Sequence, residues 1–241
     1  MEGYCMNFYN NNQGYNTRAA EGFMSKVYGW MAGGLGITAL ASYLISPENN
    51  PEVFVMLFQS GWMPVLILLG LQVAIVLYFS FAWQRLSYGT LSFLYLAYSV
   101  LTGLILTPVI FQYTMASVFS TFAITAAMFV TMAVYGRLTK SDLSGMGDIL
   151  KMSLTGLIIA NLFNMFFRSP GFDLVVACVG VGVFSLLIAY DMQKLKKMSH
   201  DLIHFPEDVD KVSLLGAMTL YLDIINLFLY LLRIFGQQRR K

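Results

Sequence analysis

Seven long apolar runs, parted by short polar or turn-forming stretches, make up most of the chain. They extend from Val27 to Ile45, Trp62 to Trp83, Leu91 to Phe111, Ala116 to Tyr135, Met152 to Phe167, Leu174 to Tyr190 and Leu214 to Phe235. No Asp, Glu, Lys or Arg occurs from Val53 to Gln84 or from Leu86 to Gly136. A helix needs roughly 20 mostly apolar residues to cross the hydrocarbon of a bilayer, so these uncharged stretches are long enough for several crossings. The fifth and sixth runs are short for a full crossing, and their ends are expected to extend into flanking polar residues. Ser46-Pro-Glu-Asn-Asn-Pro51 and Arg168-Ser-Pro-Gly171 break the pattern by turn chemistry. The pattern predicts an all-α integral membrane protein with seven transmembrane helices. It divides into a polar, flexible leader (1–22), one membrane domain (23–236) and a basic tail (237–241).

Composition sharpens this reading. Hydrophobic residues are 57% of the chain and charged residues only 12%. A soluble domain carries roughly a quarter charged residues, so this chain has too few to cover a water-facing surface of its size. The leader lacks the apolar core of a signal peptide, which leaves the first span as its own insertion signal. Cys5 in the leader and Cys178 inside the sixth run do not suggest a disulfide framework. His200 and His204 lie four apart in one loop, which reads as a solvated amphipathic loop; a metal site would want more ligands.

Charge distribution sets the expected orientation. With seven crossings, Arg18, Lys26, Arg85, Arg137, Lys140, Lys151, Lys194, Lys196, Lys197 and Lys211 fall on the amino-terminal side. Arg168, Arg233, Arg239, Arg240 and Lys241 fall on the other. Positive residues accumulate on the cytoplasmic side, so a cytoplasmic amino terminus is expected. The basic tail argues the opposite way, and a re-entrant last segment would also accommodate it.

Two acidic residues stand apart from the rest. Of the thirteen, eleven lie in loops, in the leader or at the edges of apolar runs; Asp191 and Asp223 do not. Asp191 closes Gly182-Val-Phe-Ser-Leu-Leu-Ile-Ala-Tyr190, and Asp223 sits in the middle of Leu220-Tyr-Leu-Asp-Ile-Ile-Asn-Leu-Phe228. An ionisable group at such depth costs several kcal/mol unless it is paired or wet, which makes it a candidate functional site. The two runs are consecutive and antiparallel, so both carboxylates can reach facing surfaces. Two adjacent carboxylates cannot both ionise cheaply, and a proton shared between them would exchange near physiological pH. The plainer alternative is that each aspartate only bonds a neighbouring helix, with Tyr190, Tyr221, Asn161, Asn164 and Asn226 as possible polar support. Arg85, which closes the second span, reads either as an interfacial cation or as a movable partner that latches the aspartates. The glycines of Met31-Ala-Gly-Gly-Leu-Gly36 and Val179-Gly-Val-Gly182 allow close helix approach.

The ending Leu220-Tyr-Leu-Asp-Ile-Ile-Asn-Leu-Phe-Leu-Tyr-Leu-Leu-Arg-Ile-Phe-Gly236 resembles the last span of the Bax inhibitor-1 family. Phe184-Ser-Leu-Leu-Ile-Ala-Tyr-Asp191, Lys26-Val-Tyr28, Thr102-Gly103 and Thr107-Pro108 fit the same family, and the similarity runs from about Phe23 to Gly236. The short leader and lack of a large extra domain resemble the bacterial members. The resemblance implies six helices surrounding a central seventh, location in a bacterial inner membrane, and a calcium leak gated by pH. It also implies that Asp191 and Asp223 form the proton-sensing pair, meeting calcium only transiently, and that Arg85 latches onto them. Eukaryotic relatives are associated with suppression of cell death, and some bacterial ones with a membrane-bound protease. The expected partners are therefore calcium, protons, the lipid bilayer and other membrane proteins, with no nucleic acid. No cofactor is expected. Some members carry a carboxylate midway along the second span, where this chain's nearest polar residue is Gln72; that departure weakens an ion-coordinating role for this helix.

Three function classes follow: a passive proton-gated cation leak, a regulatory protein that binds other membrane proteins, and an intramembrane aspartyl protease. The protease class is disfavoured. Tyr190-Asp191 matches its first motif, but Asp223 follows Leu220-Tyr-Leu instead of Gly-x-Gly, and no Pro-Ala-Leu occurs. No nucleotide-binding loop and no nucleophile with a base partner are present, so an enzyme is not expected.

Overall fold

The computed structural model describes residues 2–167, 169–201 and 209–239, with side chains from Glu21 onward except those of His200 and Asp201. Eight α-helices lie among the described residues: α1 (Glu2–Leu44), α2 (Pro51–Phe58), α3 (Met63–Ala82), α4 (Tyr88–Phe111), α5 (Met115–Leu138), α6 (Gly147–Phe167), α7 (Pro170–Asp201) and α8 (Val209–Phe235). A single 3-10 turn, Ser144–Met146, leads into α6. No strand occurs among the described residues, only an isolated bridge between Tyr113 and Gln238.

The helix boundaries follow local chemistry. Pro51 opens α2 and Pro170 opens α7, at positions where the missing proline N–H has no helical partner to lose. Ser87 caps α4 by accepting from the Thr90 backbone N–H (3.2 Å), and Thr114 caps α5 by accepting from that of Ser117 (3.4 Å). Both short runs do extend. Residues Gly147 to Lys151 lengthen α6, while Asp191 to Asp201 lengthen α7 far past the last apolar residue. The backbone of α1 begins at Glu2, so the polar leader is drawn into the first helix. The helix α2 was not anticipated; it lies in the connection between the first two apolar runs.

Among the described residues, six helices, α3 to α8, are long and apolar enough to cross a membrane. The sequence reading counted seven, and the difference is α1. Its run is diluted by Gly29, Gly33, Gly34 and Gly36, yet Phe23, Met24, Val27 and Met31 are buried in the core. Gly34 and Gly103 explain how it packs so closely. A Cβ on Gly34 would strike the Tyr95 ring and Ser99, and one on Gly103 would lie 2.5 Å from the Thr38 carbonyl oxygen. Glycine therefore sets the α1–α4 spacing.

The innermost helix is α8, packed by α1, α4, α5 and α7. Two-thirds of its apolar window is buried, against 6% for α3. The expected ring of six around α8 is uneven: α6 packs chiefly on α7 and reaches α8 through Asn161, and α3 packs on α4. The uniform apolarity of α3 fits a helix whose surface faces lipid.

One face of the bundle holds the connections after α3 and α5 and the start of α8. There Lys26 bonds Asp210 (2.5 Å). The opposite face holds the α4–α5 turn and the segment after α8. The Thr114 N–H donates to the Gln237 carbonyl, the Arg239 N–H to the Gln112 carbonyl, and the Gln237 N–H to Ser117 Oγ, all at 2.9 Å. On this face Arg233 lies 3.6 Å from Asp173, and Arg239 the same distance from Glu48.

Candidate functional site: a buried carboxyl pair

The register between α7 and α8 is fixed at two levels by glycine. A Cβ on Gly180 would lie 2.7 Å from the Tyr230 ring, and one on Gly216 would lie 2.7 Å from Leu195 Cδ2. The two contacts bracket Asp191 and Asp223 along the antiparallel helices. Between them the carboxyl groups come within hydrogen-bonding reach of each other. Asp191 is 8% exposed and Asp223 5%, and Asp223 Oδ2 has no hydrogen-bond partner among the described residues. Neither aspartate takes part in an ion pair among the described residues. Lys194, the next turn of α7, is the cation whose charge reaches Asp191, and its side chain is exposed.

Toward the face carrying Lys26, the pair is sealed by apolar side chains. Val27, Met192, Leu195 and Val212 are all buried, and Val27 and Leu195 close on the bare surface of Gly216. Tyr28 reaches this layer, its hydroxyl 3.6 Å from Met192 Sδ. Away from the seal, α1, α4 and α8 share a buried hydroxyl ladder. Thr38 Oγ1 lies 2.6 Å from the Tyr221 hydroxyl and 2.9 Å from the Gly34 and Ser99 carbonyl oxygens. Since threonine has one proton and donates it to a carbonyl, Tyr221 is the donor to Thr38. Tyr95 and Tyr98 meet the Tyr221 ring edge-on at 5.9 and 6.0 Å. On α5, Ser117, Thr121 and Thr125 are buried at successive turns; Thr121 Oγ1 and the buried Ser185 Oγ on α7 have no partner among the described residues. Unpaired buried oxygens cost about 1–3 kcal/mol each, so such positions are suited to water or a passing cation.

The nominated residues separate on inspection. Asp191 and Asp223 come together. The five nominated as polar support do not join them. Tyr190 packs its hydroxyl end against Gly147, and Tyr221 faces Thr38. Asn161 donates to the Tyr230 hydroxyl (2.9 Å) and accepts from Arg233 (2.7 Å). Asn164 donates to Asp173 (2.8 Å), and Asn226 to its own helix at Leu222 (2.7 Å). Arg85 is exposed in the turn after α3, where its backbone N–H donates to the Ala82 carbonyl (2.9 Å), and its side chain forms no hydrogen bond or ion pair among the described residues, so no latch is formed in this conformation. Gln72 donates to Thr102 Oγ1 (2.8 Å), tying α3 to α4 away from the pair. His200 and His204 lie outside the described side chains.

Sequence reasoning missed the hydroxyl ladder and Gln193. The spacing of Ser117, Thr121 and Thr125 was a usable signal, since three hydroxyls every fourth residue share one helix face. Gln193 is buried; its Oε1 accepts from the Leu143 N–H and its Nε2 donates to the Ser141 carbonyl, both at 2.8 Å. Two carboxylates do not make a resident metal site, because calcium takes six to eight oxygens. Among the described residues no group of three or more His, Cys, Asp or Glu side chains could hold a metal. The arrangement can instead hold one proton between two oxygens, and lose it.

The sequence model described as "Inhibitor of apoptosis-promoting Bax1" matches residues 20–240. A protein of Escherichia coli K12 named "Inner membrane protein YbhL" is 44% identical over 221 residues, covering 90% of this chain and 92% of the relative. An uncharacterized protein of Borreliella burgdorferi is 41% identical over 217 residues, covering 90% and 92%. Another uncharacterized protein, YrjE of Lactococcus lactis, is 34% identical over 214 residues, covering 89% and 90%.

Proposed function

Given that the chain belongs to the Bax inhibitor-1 family, we propose that it is a passive, proton-gated leak for cations, calcium among them, in the bacterial inner membrane. The observation that carries this reading is the contact between Asp191 and Asp223, both buried and neither in an ion pair among the described residues, with the exposed Lys194 the cation that reaches Asp191. With one proton between them, the pair bears a single negative charge and holds α7 against α8. Loss of that proton leaves two like charges in contact in a medium of low dielectric, which drives the helices apart. Separation at this level strains the apolar seal of Val27, Leu195 and Gly216, and the hydroxyls of α1, α4 and α5 supply oxygens along the interior. The carboxylates then attract a cation in transit.

In this reading α1 is the seventh crossing and the amino terminus is cytoplasmic. The tail cations argue less strongly against that orientation than their number suggests, because Arg233 and Arg239 face Asp173 and Glu48. The E. coli relative's name as an inner membrane protein supports the location.

The test is calcium flux into liposomes bearing the pure protein, scanned between about pH 6 and 8, where a shared carboxyl proton titrates. Wild type is expected to vary across this window. Asp191→Asn and Asp223→Asn should each flatten the response, and the double variant should not equal the sum of the two. A wild-type profile in the double variant would remove the proton switch. Absence of flux at every pH in folded protein would favour a role in binding other membrane proteins.

A further inference from the structure

The face that carries Lys26 also carries a recess of about 370 Å³, set between the α5–α6 connection and the end of α7. Its wall begins at Gly136, where a Cβ would lie 2.8 Å from Ala189 Cα. That contact brings the end of α5 onto the backbone of α7, so residues 139–143 must turn back across it. Gln193 then clamps the turn through the Leu143 N–H and the Ser141 carbonyl. The recess is therefore held open by bonded backbone and does not depend on surface side chains alone.

Its charge is unbalanced. Lys140, Lys196 and Lys197 line it together with one acid, Asp142. Lys197 is matched, with Nζ 2.7 Å from Asp142 and 2.9 Å from Ser144 Oγ. Lys196 donates only to the neutral Arg137 carbonyl (2.8 Å), and Lys140 has no partner among the described residues. Two ammonium groups thus border the recess without a counter-charge, beside the hydroxyls of Thr139 and Ser141. Lysine is a strong point-charge partner for phosphate oxygens, and hydroxyl donors complete such sites.

We propose that this recess binds a phosphate-bearing anion, through Lys140 and Lys196 with the Thr139 and Ser141 hydroxyls. The phosphate comes either from a free solute or from an anionic lipid headgroup, since the recess lies at the end of the membrane-crossing helices. The site does not depend on the leak reading. It does sit on the same stretch of α7, with Ala189 and Gln193 on either side of Asp191, so a ligand here grips the helix that carries the pair.

The experiment uses full-length protein. Pyrophosphate binding is measured by calorimetry at fixed ionic strength against chloride, in nanodiscs of zwitterionic lipid. Thermal stabilisation is measured in parallel in nanodiscs with and without phosphatidylglycerol. Saturable pyrophosphate binding, weakened about tenfold for each ammonium–phosphate bond lost in Lys140→Gln and Lys196→Gln, assigns a soluble phosphate. No pyrophosphate binding, with phosphatidylglycerol stabilisation lost in the same variants, assigns a headgroup. Lys140→Gln keeps the test sound if Lys196→Gln disturbs the turn, because Lys140 has no bond there to lose. Lys151→Gln, whose lysine pairs with Asp148 outside the recess, should behave as wild type. Absence of both effects, or equal effects in wild type and Lys140→Gln/Lys196→Gln, overturns the site.

Discussion

Replacing Gly136 by alanine tests how closely α5 must approach α7 just before Asp191. A Cβ there would lie 2.8 Å from both Cα and the carbonyl carbon of Ala189, and closer still to its oxygen. These are backbone atoms, so no rotamer change relieves the contact. Restoring ordinary van der Waals separation from the carbon atoms alone requires the helices to part by about 0.6 Å, and the closer oxygen requires more. Overpacking of this kind costs about 1–3 kcal/mol, and a rigid neighbour places it toward the upper end. Alanine regains up to about 1 kcal/mol of helix propensity, which leaves a net loss of about 2 kcal/mol. At about 2–4 °C per kcal/mol for a chain of this size, Gly136→Ala should melt about 4–8 °C below wild type. Gly33→Ala is the matched control, since nothing lies within 4 Å of a Cβ at that position. It should melt at or slightly above wild type. The assay is thermal unfolding of both variants in one detergent, followed by intrinsic fluorescence. Equal midpoints for Gly136→Ala and Gly33→Ala would refute the argument that backbone contact sets the spacing of α5 and α7.

Further expectations concern the amino-terminal face. Because the Arg85 side chain is exposed and has no partner among the described residues, Arg85→Ala should leave basal flux and melting temperature within error of wild type; raised flux at the pH where wild type is shut would restore the latch. The hydrogen bond from Lys197 holds the Asp142 carboxyl down at about 2, with the Ser144 backbone and hydroxyl adding to it. A depressed carboxyl contributes stability that is complete above its unfolded value of about 3.9 and is lost as pH falls toward the folded value. The melting difference between wild type and Asp142→Asn should therefore be constant from about pH 5 to 8 and shrink below about pH 4. A difference that changes between pH 6 and 8 would place another titrating group at this loop.

Much of the architecture was legible because a lipid-facing helix has little freedom in composition. The run from Trp62 to Trp83 and the helix Met63–Ala82 nearly coincide, and the same holds for α4. The first apolar run was less legible, since packing against α4 favours glycine in α1 and glycine weakens the apolar signal. The carboxyl pair was legible for a different reason: charge in mid-span is expensive enough to stand out. Its surroundings were not. Which way Tyr190 or Tyr221 points depends on helix rotation, and that is fixed by contacts such as Gly147 with Tyr190, between residues far apart in sequence. The basic recess was equally hidden, because it depends on Gln193 bonding a turn some fifty residues earlier.

The central place of α8 also bears on biogenesis. This helix leaves the ribosome after the seven that precede it, yet α1, α4, α5 and α7 all pack on it. Until it arrives, Thr38 lacks its Tyr221 partner. A lone aspartate at a helix centre costs about 2.5–3.5 kcal/mol to insert from the translocon. That cost falls if Asp223 enters alongside protein instead of through lipid, and α7, delivered immediately before with Asp191, provides the surface. Insertion of the last helix and assembly of the bundle are then a single event. The segment from Gln237 to Arg239, hydrogen-bonded to the α4–α5 turn, can close only once that event is complete.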